Sequence, residues 1–304
     1  MNDVHAYLKD FSGRYAVTDL ESARSLYRPR DPFSNKGSFG HVLLLAGSFG
    51  KMGAALMAAR ACLRTGAGLL TTHIPGCGYT IMQTAVPEAM VTVDPDDEQL
   101  TTIPDYLKPY HVAAVGPGIG TSDETKGMLK KLLKNFAAAP LVLDADALNI
   151  MSREKKLLEK IPLHSVLTPH PKEFDRLFGT STTDHRRFKL ARKQAMKHKL
   201  VIVLKGHFTG VFAPDGNIYF NTSGNAGMAK GGSGDVLTGM VTALLAQSYS
   251  PVDAARLAVF LHGLAGDIAA NGWSQEAMLP TDLIECIGKA FSMLSNASNE
   301  HPAG

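Results

Sequence analysis

With 304 residues, 45% of them hydrophobic and 19% charged, the chain can bury a sizeable core and fits one large α/β domain or two small ones. The formal net charge of +3 comes without Lys/Arg blocks or interleaved aromatics, which argues against a nucleic-acid surface and suits a small anionic ligand. Three cysteines, Cys62, Cys77 and Cys286, are far apart and match no metal spacing, and an odd count argues against a disulfide framework, so a reducing, cytoplasmic setting is expected. The first residues, with Asp3, Lys9 and Asp10, lack a signal-peptide pattern. The most apolar later segments are interrupted by Arg256, His262 and Asp267, so no membrane helix is expected.

Residues 1–36 mix polar, helical-looking sequence with Pro29 and Pro32 and read as a lead-in rather than a separate domain. From His41 the chain alternates. Val42 to Ala46 is an apolar run of strand length, followed by Gly47-Ser48-Phe49-Gly50-Lys51-Met52-Gly53 and a helix through Arg64. That glycine spacing is neither a dinucleotide fingerprint nor a P-loop. Leu69 to Ile74 and Val112 to Val115 read as the next strands, the latter running into Gly116-Pro117-Gly118-Ile119-Gly120 before a helix from about Ser122 to Phe136. Leu141 to Leu143 ends in Asp144-Ala145-Asp146, polar groups at a strand's carboxyl end, where open parallel sheets bind ligands. Val166-Leu167 leads to His170, which lies between two prolines and is expected on a stiff loop; a lone histidine is also commonly structural.

A basic helix over about Asp184 to His198 precedes the strand Val201 to Leu204, which ends in Lys205-Gly206-His207-Phe208-Thr209. Val211 to Ala213 and Ile218 to Phe220 flank the turn signal Pro214-Asp215-Gly216-Asn217 and are expected as a hairpin at the sheet edge. The run Asn225 to Asp235 is glycine-dense and opens onto Val236, Leu237, Met240 and Val241 at helical spacing. Glycines at 231, 232 and 234 let main-chain N–H groups approach a ligand, and the helix start adds partial positive charge, so an anionic group belongs there. Asp235 fits that cradle if its carboxylate faces a reacting hydroxyl; a helix-capping role is the plainer alternative. Further helices are expected over Val252 to about Ala270 and Thr281 to about Leu294, with a frayed tail over 295–304. The alternation of strands and helices predicts an α/β fold, a mostly parallel central sheet covered by helices on both faces, over a single domain of 1–304.

The order of these loops resembles the ribokinase-like superfamily and, within it, the NAD(P)H-hydrate dehydratases. The resemblance runs from about Lys36 to Ile287 and rests on Lys36-Gly37-Ser38-Phe39-Gly40, Ala46-Gly47-Ser48 with Gly53-Ala54-Ala55, Gly116-Pro117-Gly118, Asp144-Ala145-Asp146-Ala147-Leu148, Leu167-Thr168-Pro169-His170-Pro171, Lys205-Gly206-His207-Phe208-Thr209 and Gly231-Gly232-Ser233-Gly234-Asp235. Lys172 stands where the family often has glycine, and Ser233 where threonine is usual, a change that keeps the hydroxyl. The resemblance implies that Ala54, Gly118, His170 and Asp235 contact a hydrated dinucleotide. It also implies that Lys205, Gly206, His207, Phe208, Thr209 and Gly234 contact an adenine nucleotide.

The implied reaction is dehydration of the S epimer of hydrated NADH or NADPH, with Mg²⁺ and ADP or ATP as phosphoryl donor. Asp235 would take the proton of the C6 hydroxyl as that oxygen is phosphorylated, and the ring nitrogen would then expel phosphate. The resemblance assigns no metal ligands, and it implies a cytoplasmic homotetramer acting on small molecules, with no nucleic acid or membrane partner. The absence of an epimerase-like domain in front tilts the donor toward ADP. A kinase of the same fold acting on a small alcohol would share the cradle and the aspartate, and a non-catalytic dinucleotide-binding module would share the glycine loops.

Overall fold

The computed structural model describes residues 4–9, 11, 13–137 and 139–295. Ten strands, β1 (Ala16–Thr18), β2 (His41–Leu45), β3 (Leu69–Ile74), β4 (Met90–Val93), β5 (Val112–Val115), β6 (Leu141–Leu143), β7 (Val166–Leu167), β8 (Val201–Leu204), β9 (Gly210–Phe212) and β10 (Ile218–Asn221), form one sheet. The helices are α1 (Val4–Tyr7), α2 (Leu20–Leu26), α3 (Met52–Arg64), α4 (Tyr79–Ala85), α5 (Asp123–Asn135), α6 (Ala145–Arg153), α7 (Pro171–Phe178), α8 (Asp184–His198), α9 (Ser233–Ala246), α10 (Pro251–Trp273) and α11 (Pro280–Ser295). Strand order is β1-β10-β9-β8-β7-β6-β5-β2-β3-β4, and every pairing is parallel except the two that β9 makes.

Strands β5 to β8 are apolar throughout because both faces are covered. Along β2, Val42 and Leu44 face α3, α9 and α10, whereas Leu43 and Leu45 face α5 and α6, the two-residue period sorting one strand between two cores. A third cluster, rich in phenylalanine, lies under α8, where Phe174, Phe188, Phe212 and Phe220 pack with Leu8 and Phe11. The parallel sheet and its two helical layers agree with the sequence reading.

Three details differ. The stretch read as a lead-in supplies the edge strand: β1 pairs in parallel with β10 through Ala16↔Tyr219, Val17↔Phe220 and Thr18↔Asn221, so the β9–β10 hairpin is internal rather than at the edge. Strand β4 was not expected; its four residues lie between Pro87 and Pro95 and pair with β3 from Thr71↔Met90 to Ile74↔Val93. Pro171 opens α7, so His170 stands at a helix start rather than within a loop. The tail expected from 295 lies, beyond Ser295, outside the described residues.

The lead-in therefore carries part of the fold. A chain truncated to begin at Asp19 strips β1 from β10 and uncovers the phenylalanine cluster. It should melt several degrees below the full chain and aggregate on standing; an unchanged melting temperature would show these contacts to be dispensable.

Candidate active site

A cleft of about 640 Å³ opens at the carboxyl ends of β6, β7 and β8 and is lined on another side by the end of β10 and the loop from Ser223 to Gly232. Its floor is an ion pair with a buried carboxylate and a lysine side chain that is 21% exposed. Lys205, just past β8, donates from Nζ to Asp144 Oδ1 at 2.9 Å, and the Thr238 hydroxyl on α9 donates to Asp144 Oδ2 at 2.8 Å. Asp144 thus ties β6 to β8 and to α9, and although it occupies the N-cap position of α6, it makes no capping bond. Burial opposes the charge on Lys205, but Asp144 and then Glu173 outweigh it and hold the ammonium above its ordinary range.

The glycine cradle forms the wall facing this pair. Gly232 has φ +106°, and a methyl there would strike the Met57 side chain at 2.5 Å. At Gly234 an added methyl would stand 3.2 Å from Lys205 Nζ, so the missing side chain brings main chain and ammonium together. Helix α10 holds the loop at both ends. Asp267 accepts from Gly224 N–H and Asn225 Nδ2, each at 2.9 Å, and His262 Nε2 donates to the Ser233 carbonyl at 2.9 Å. Burial pushes His262 down to about 4, so its ring is neutral and the donor is fixed by that carbonyl.

Asp235 is the third residue of α9. The N-cap is Gly232, with no side-chain capping bond, and among the described residues nothing donates a hydrogen bond to the Asp235 carboxylate. The capping alternative therefore fails on geometry. Burial, and then the negative charge of Asp144, push the Asp235 carboxyl up to about 7. A half-buried carboxylate with a free acceptor face and a pKa near neutrality suits a proton acceptor.

His170 caps α7. Its Nδ1 accepts from Lys172 N–H at 3.1 Å and Glu173 N–H at 3.4 Å, while Glu173 Oε2 accepts from His170 N–H at 2.9 Å. The other ring nitrogen lies 3.3 Å from Glu173 Oε1. Burial, and then Lys205, lower the His170 pKa, and burial raises that of Glu173.

Of the residues singled out by sequence, His170, Lys205, Gly206, His207, Thr209, Gly234 and Asp235 line this one cleft. Phe208 does not; its ring is buried and packs on Tyr7 at 5.1 Å between centroids. Ala54 and Gly118 lie in a neighbouring patch over β2 and β5, where a methyl on Gly118 would stand 3.1 Å from Ala54 Cβ. The patch joins the cleft through Asp146, which follows Ala145 of the lining and accepts from Gly120 N–H at 2.9 Å. Sequence reasoning did not single out Glu173, Thr238, His262 or Asp267. Asp144 was visible only as a polar group at a strand end, and His262 and Asp267 only as breaks in an apolar helix. Another hollow of about 480 Å³, between Arg60, Arg64 and Glu88, holds none of the expected residues.

A mostly parallel sheet with a glycine cradle, a lysine and a half-buried aspartate at its carboxyl edge places the chain in the ribokinase-like class of α/β protein, and a ribokinase-like superfamily structure from Enterococcus faecalis superposes with a TM-score of 0.81 at 29% identity, over 92% of this chain and 96% of that one. More narrowly, the chain belongs to the NAD(P)H-hydrate dehydratase family, whose model matches residues 42–289. It is 38% identical over 271 residues to the bifunctional NAD(P)H-hydrate repair enzyme of Moorella thermoacetica, covering 86% of this chain and 51% of that one. Against the ADP-dependent (S)-NAD(P)H-hydrate dehydratase of Neisseria meningitidis it is 38% identical over 249 residues, covering 80% and 81%. The chain spans about half the length of the bifunctional relatives it matches. The crystal structure of an ADP/ATP-dependent NAD(P)H-hydrate dehydratase from Bacillus subtilis, co-crystallised with ATP and Mg²⁺, superposes with a TM-score of 0.81 at 30% identity, over 93% of this chain and 100% of that one.

Two measurements test the geometry. His170→Ala should destabilise the protein by about 1 kcal/mol through loss of the α7 cap, whereas His170→Asn, which keeps a capping acceptor, should unfold near the wild-type denaturant midpoint; equal loss in both would remove the capping role. For Asp235, the folded pKa of about 7 lies above the unfolded carboxyl value near 4. The folded state therefore binds the extra proton, and stability present below pH ~4 is lost as pH rises toward 7. Asp235→Asn should melt about 2–5 °C above wild type at pH 8, with the gap closing as pH falls toward 4. A pH-independent gap would show that Asp235 carries no raised pKa.

Proposed function

We propose that the protein dehydrates the S epimer of hydrated NADH or NADPH back to NAD(P)H, with ADP or ATP as phosphoryl donor. The observation that carries this reading is Asp235, a carboxylate with no hydrogen-bond donor among the described residues, raised to about 7, at the end of an amide cradle beside the Lys205 ammonium. Its unprotonated form takes the proton of the C6 hydroxyl while that oxygen attacks the terminal phosphorus of the donor, and the bridging P–O bond breaks to release AMP from ADP or ADP from ATP. The ring nitrogen's lone pair then expels phosphate from C6, and loss of a proton from C5 restores the C5–C6 double bond. No redox change occurs at the ring.

In this reading Ala54, Gly118, His170 and Asp235 seat the hydrated dinucleotide. Lys205, Gly206, His207, Phe208 and Thr209, with Gly234, hold the donor nucleotide, Phe208 through its backbone. The amides of 231–234 and the Lys205 ammonium stabilise charge on the transferring phosphoryl oxygens. The carboxylates of Asp144, Glu173 and Asp235 all act on the one Lys205 ammonium, an excess of negative charge that tolerates a cation brought in with the nucleotide. Among the described residues no group of three or more acidic, histidine or cysteine side chains is placed to hold a metal ion, which is consistent with an ion held mostly by nucleotide phosphates. Asp144 and Glu173 are the residues that would face it, and such an ion neutralises phosphate charge when bound. We read 1–304 as one domain, acting as a cytoplasmic homotetramer by family likeness; among the described residues no helix is long and apolar enough to cross a membrane.

The test is incubation with hydrated NADH, Mg²⁺ and either ADP or ATP, following the return of reduced-nicotinamide absorbance and identifying the product. Accumulation of a stable phosphate ester would point to a kinase instead. Asp235→Asn should lower kcat by roughly 10²-fold or more with nucleotide affinity intact, and the wild-type rate should fall on the acid side of about pH 7 as Asp235 becomes protonated. Gly234→Ala should act on the nucleotide, weakening its binding about tenfold, because its methyl would enter the cradle 3.2 Å from Lys205 Nζ. A folded Asp235→Asn variant with near-normal turnover would remove Asp235 from the mechanism.

A further inference from the structure

The loop at the carboxyl end of β2, Gly47 to Lys51, lies outside the cleft, and the reaction above uses none of its side chains. Its backbone is tied down. Gly47 N–H donates to the Pro117 carbonyl at 2.8 Å, Phe49 N–H to the Glu98 carbonyl at 2.7 Å, and the Ser48 hydroxyl to the Gly118 carbonyl at 2.7 Å. Yet this fixed loop leaves the Phe49 side chain outward, with 68% of the residue exposed, and so forgoes the stabilisation that burying a phenyl ring gives. Around it the main chain is open: at Gly50, Gly53 and Gly120 no atom lies within 4 Å of where a Cβ would stand. The Lys51 ammonium, more than half exposed, is 3.7 Å from Asp146 Oδ2, and Ala145 beside Asp146 lines the cleft. An exposed aromatic face on a tied-down backbone and an exposed ammonium thus lie next to the patch that joins the cleft at Asp146.

We propose that Phe49 and Lys51 form the subsite for the adenylate half of the dinucleotide substrate, the ring stacking on the base and the ammonium pairing with the pyrophosphate. The inference rests on the dehydratase reading. The hydrated ring must reach Asp235, and the loop lines none of the cleft that holds Asp235, so the half left to reach Phe49 is the distal one. Every base offers a face for an aromatic side chain, and an exposed ammonium is a point charge for phosphate. Ordered backbone around an exposed ring means that little conformational freedom is lost on binding.

The test compares hydrated NADH with hydrated reduced nicotinamide mononucleotide, which lacks the adenylate half, at saturating ADP. Phe49→Ala should raise KM for the dinucleotide about tenfold and leave the KM values of the mononucleotide and of ADP unchanged, and Phe49→Trp should restore the dinucleotide value. An unchanged dinucleotide KM, or an equal rise for both substrates, overturns the subsite. A smaller particle mass for Phe49→Ala by light scattering overturns it too, because the ring would then belong to a contact with a second copy of the chain. A wild-type protein that dehydrates neither substrate with ADP or with ATP removes the dehydratase reading and the subsite with it, whereas an active wild type with a kinetically normal Phe49→Ala removes the subsite alone.

Discussion

The architecture at the carboxyl edge depends on one largely buried ion pair, Lys205 with the fully enclosed Asp144, whose oxygens are 2.9 Å from Lys205 Nζ and 2.8 Å from the Thr238 hydroxyl. Taking two charges out of water is costly, and such a pair contributes little net stability over an apolar substitute, but removing one partner leaves an uncompensated charge in the interior. The pair therefore acts as a constraint on position. It joins three elements distant in sequence, the ends of β6 and β8 and the second turn of α9, and sets the ammonium against the main chain at Gly234. Glycine at 234 and the fixed amine belong to one arrangement: a side chain there would crowd the ammonium that the aspartate holds.

Burial, and then the same pair, sets the charge on Asp235. Lys205 lowers the pKa of that carboxyl, but burial and the nearby Asp144 outweigh it, so the group titrates near neutrality instead of near 4. Stability is sacrificed for this. A half-buried carboxylate without a donor destabilises the folded state when ionised, and the surrounding structure has to hold it there. Helix α10 does much of the holding, through Asp267 at the start of the cradle loop and His262 at its end, and the neutral state of His262 avoids adding a positive charge that would lower the Asp235 pKa again.

The phenylalanine cluster shows how an apparently peripheral segment reaches the site. Leu8 and Phe11 pack on Phe188 and Phe220, while Tyr7 stacks near Phe208 and donates to Asp184 at 2.6 Å. The loop after β8 is thereby buttressed through Phe208 by a residue 201 positions upstream, Tyr7.

What the sequence determined by itself was local. Apolar runs of strand length, glycine turns after them and helical spacing beyond them were enough for a parallel sheet covered on both faces, since each of these signals lies within a dozen residues. The cradle at 231–234 with Asp235 was legible for the same reason, its composition and its helix being contiguous. The edge strand β1 was not, because three residues gain strand structure only from pairing with β10, and β4 was missed because its short run borrows its pairing from β3. Nor could spacing reveal that His170 caps α7, that Asp144 meets Lys205 across 61 positions, or that Phe208 faces inward while Phe49 faces out. Those facts depend on which elements are neighbours in the sheet and on how much water each side chain loses. Burial and long-range charge, which set the Asp235 pKa, exist only once the chain has folded.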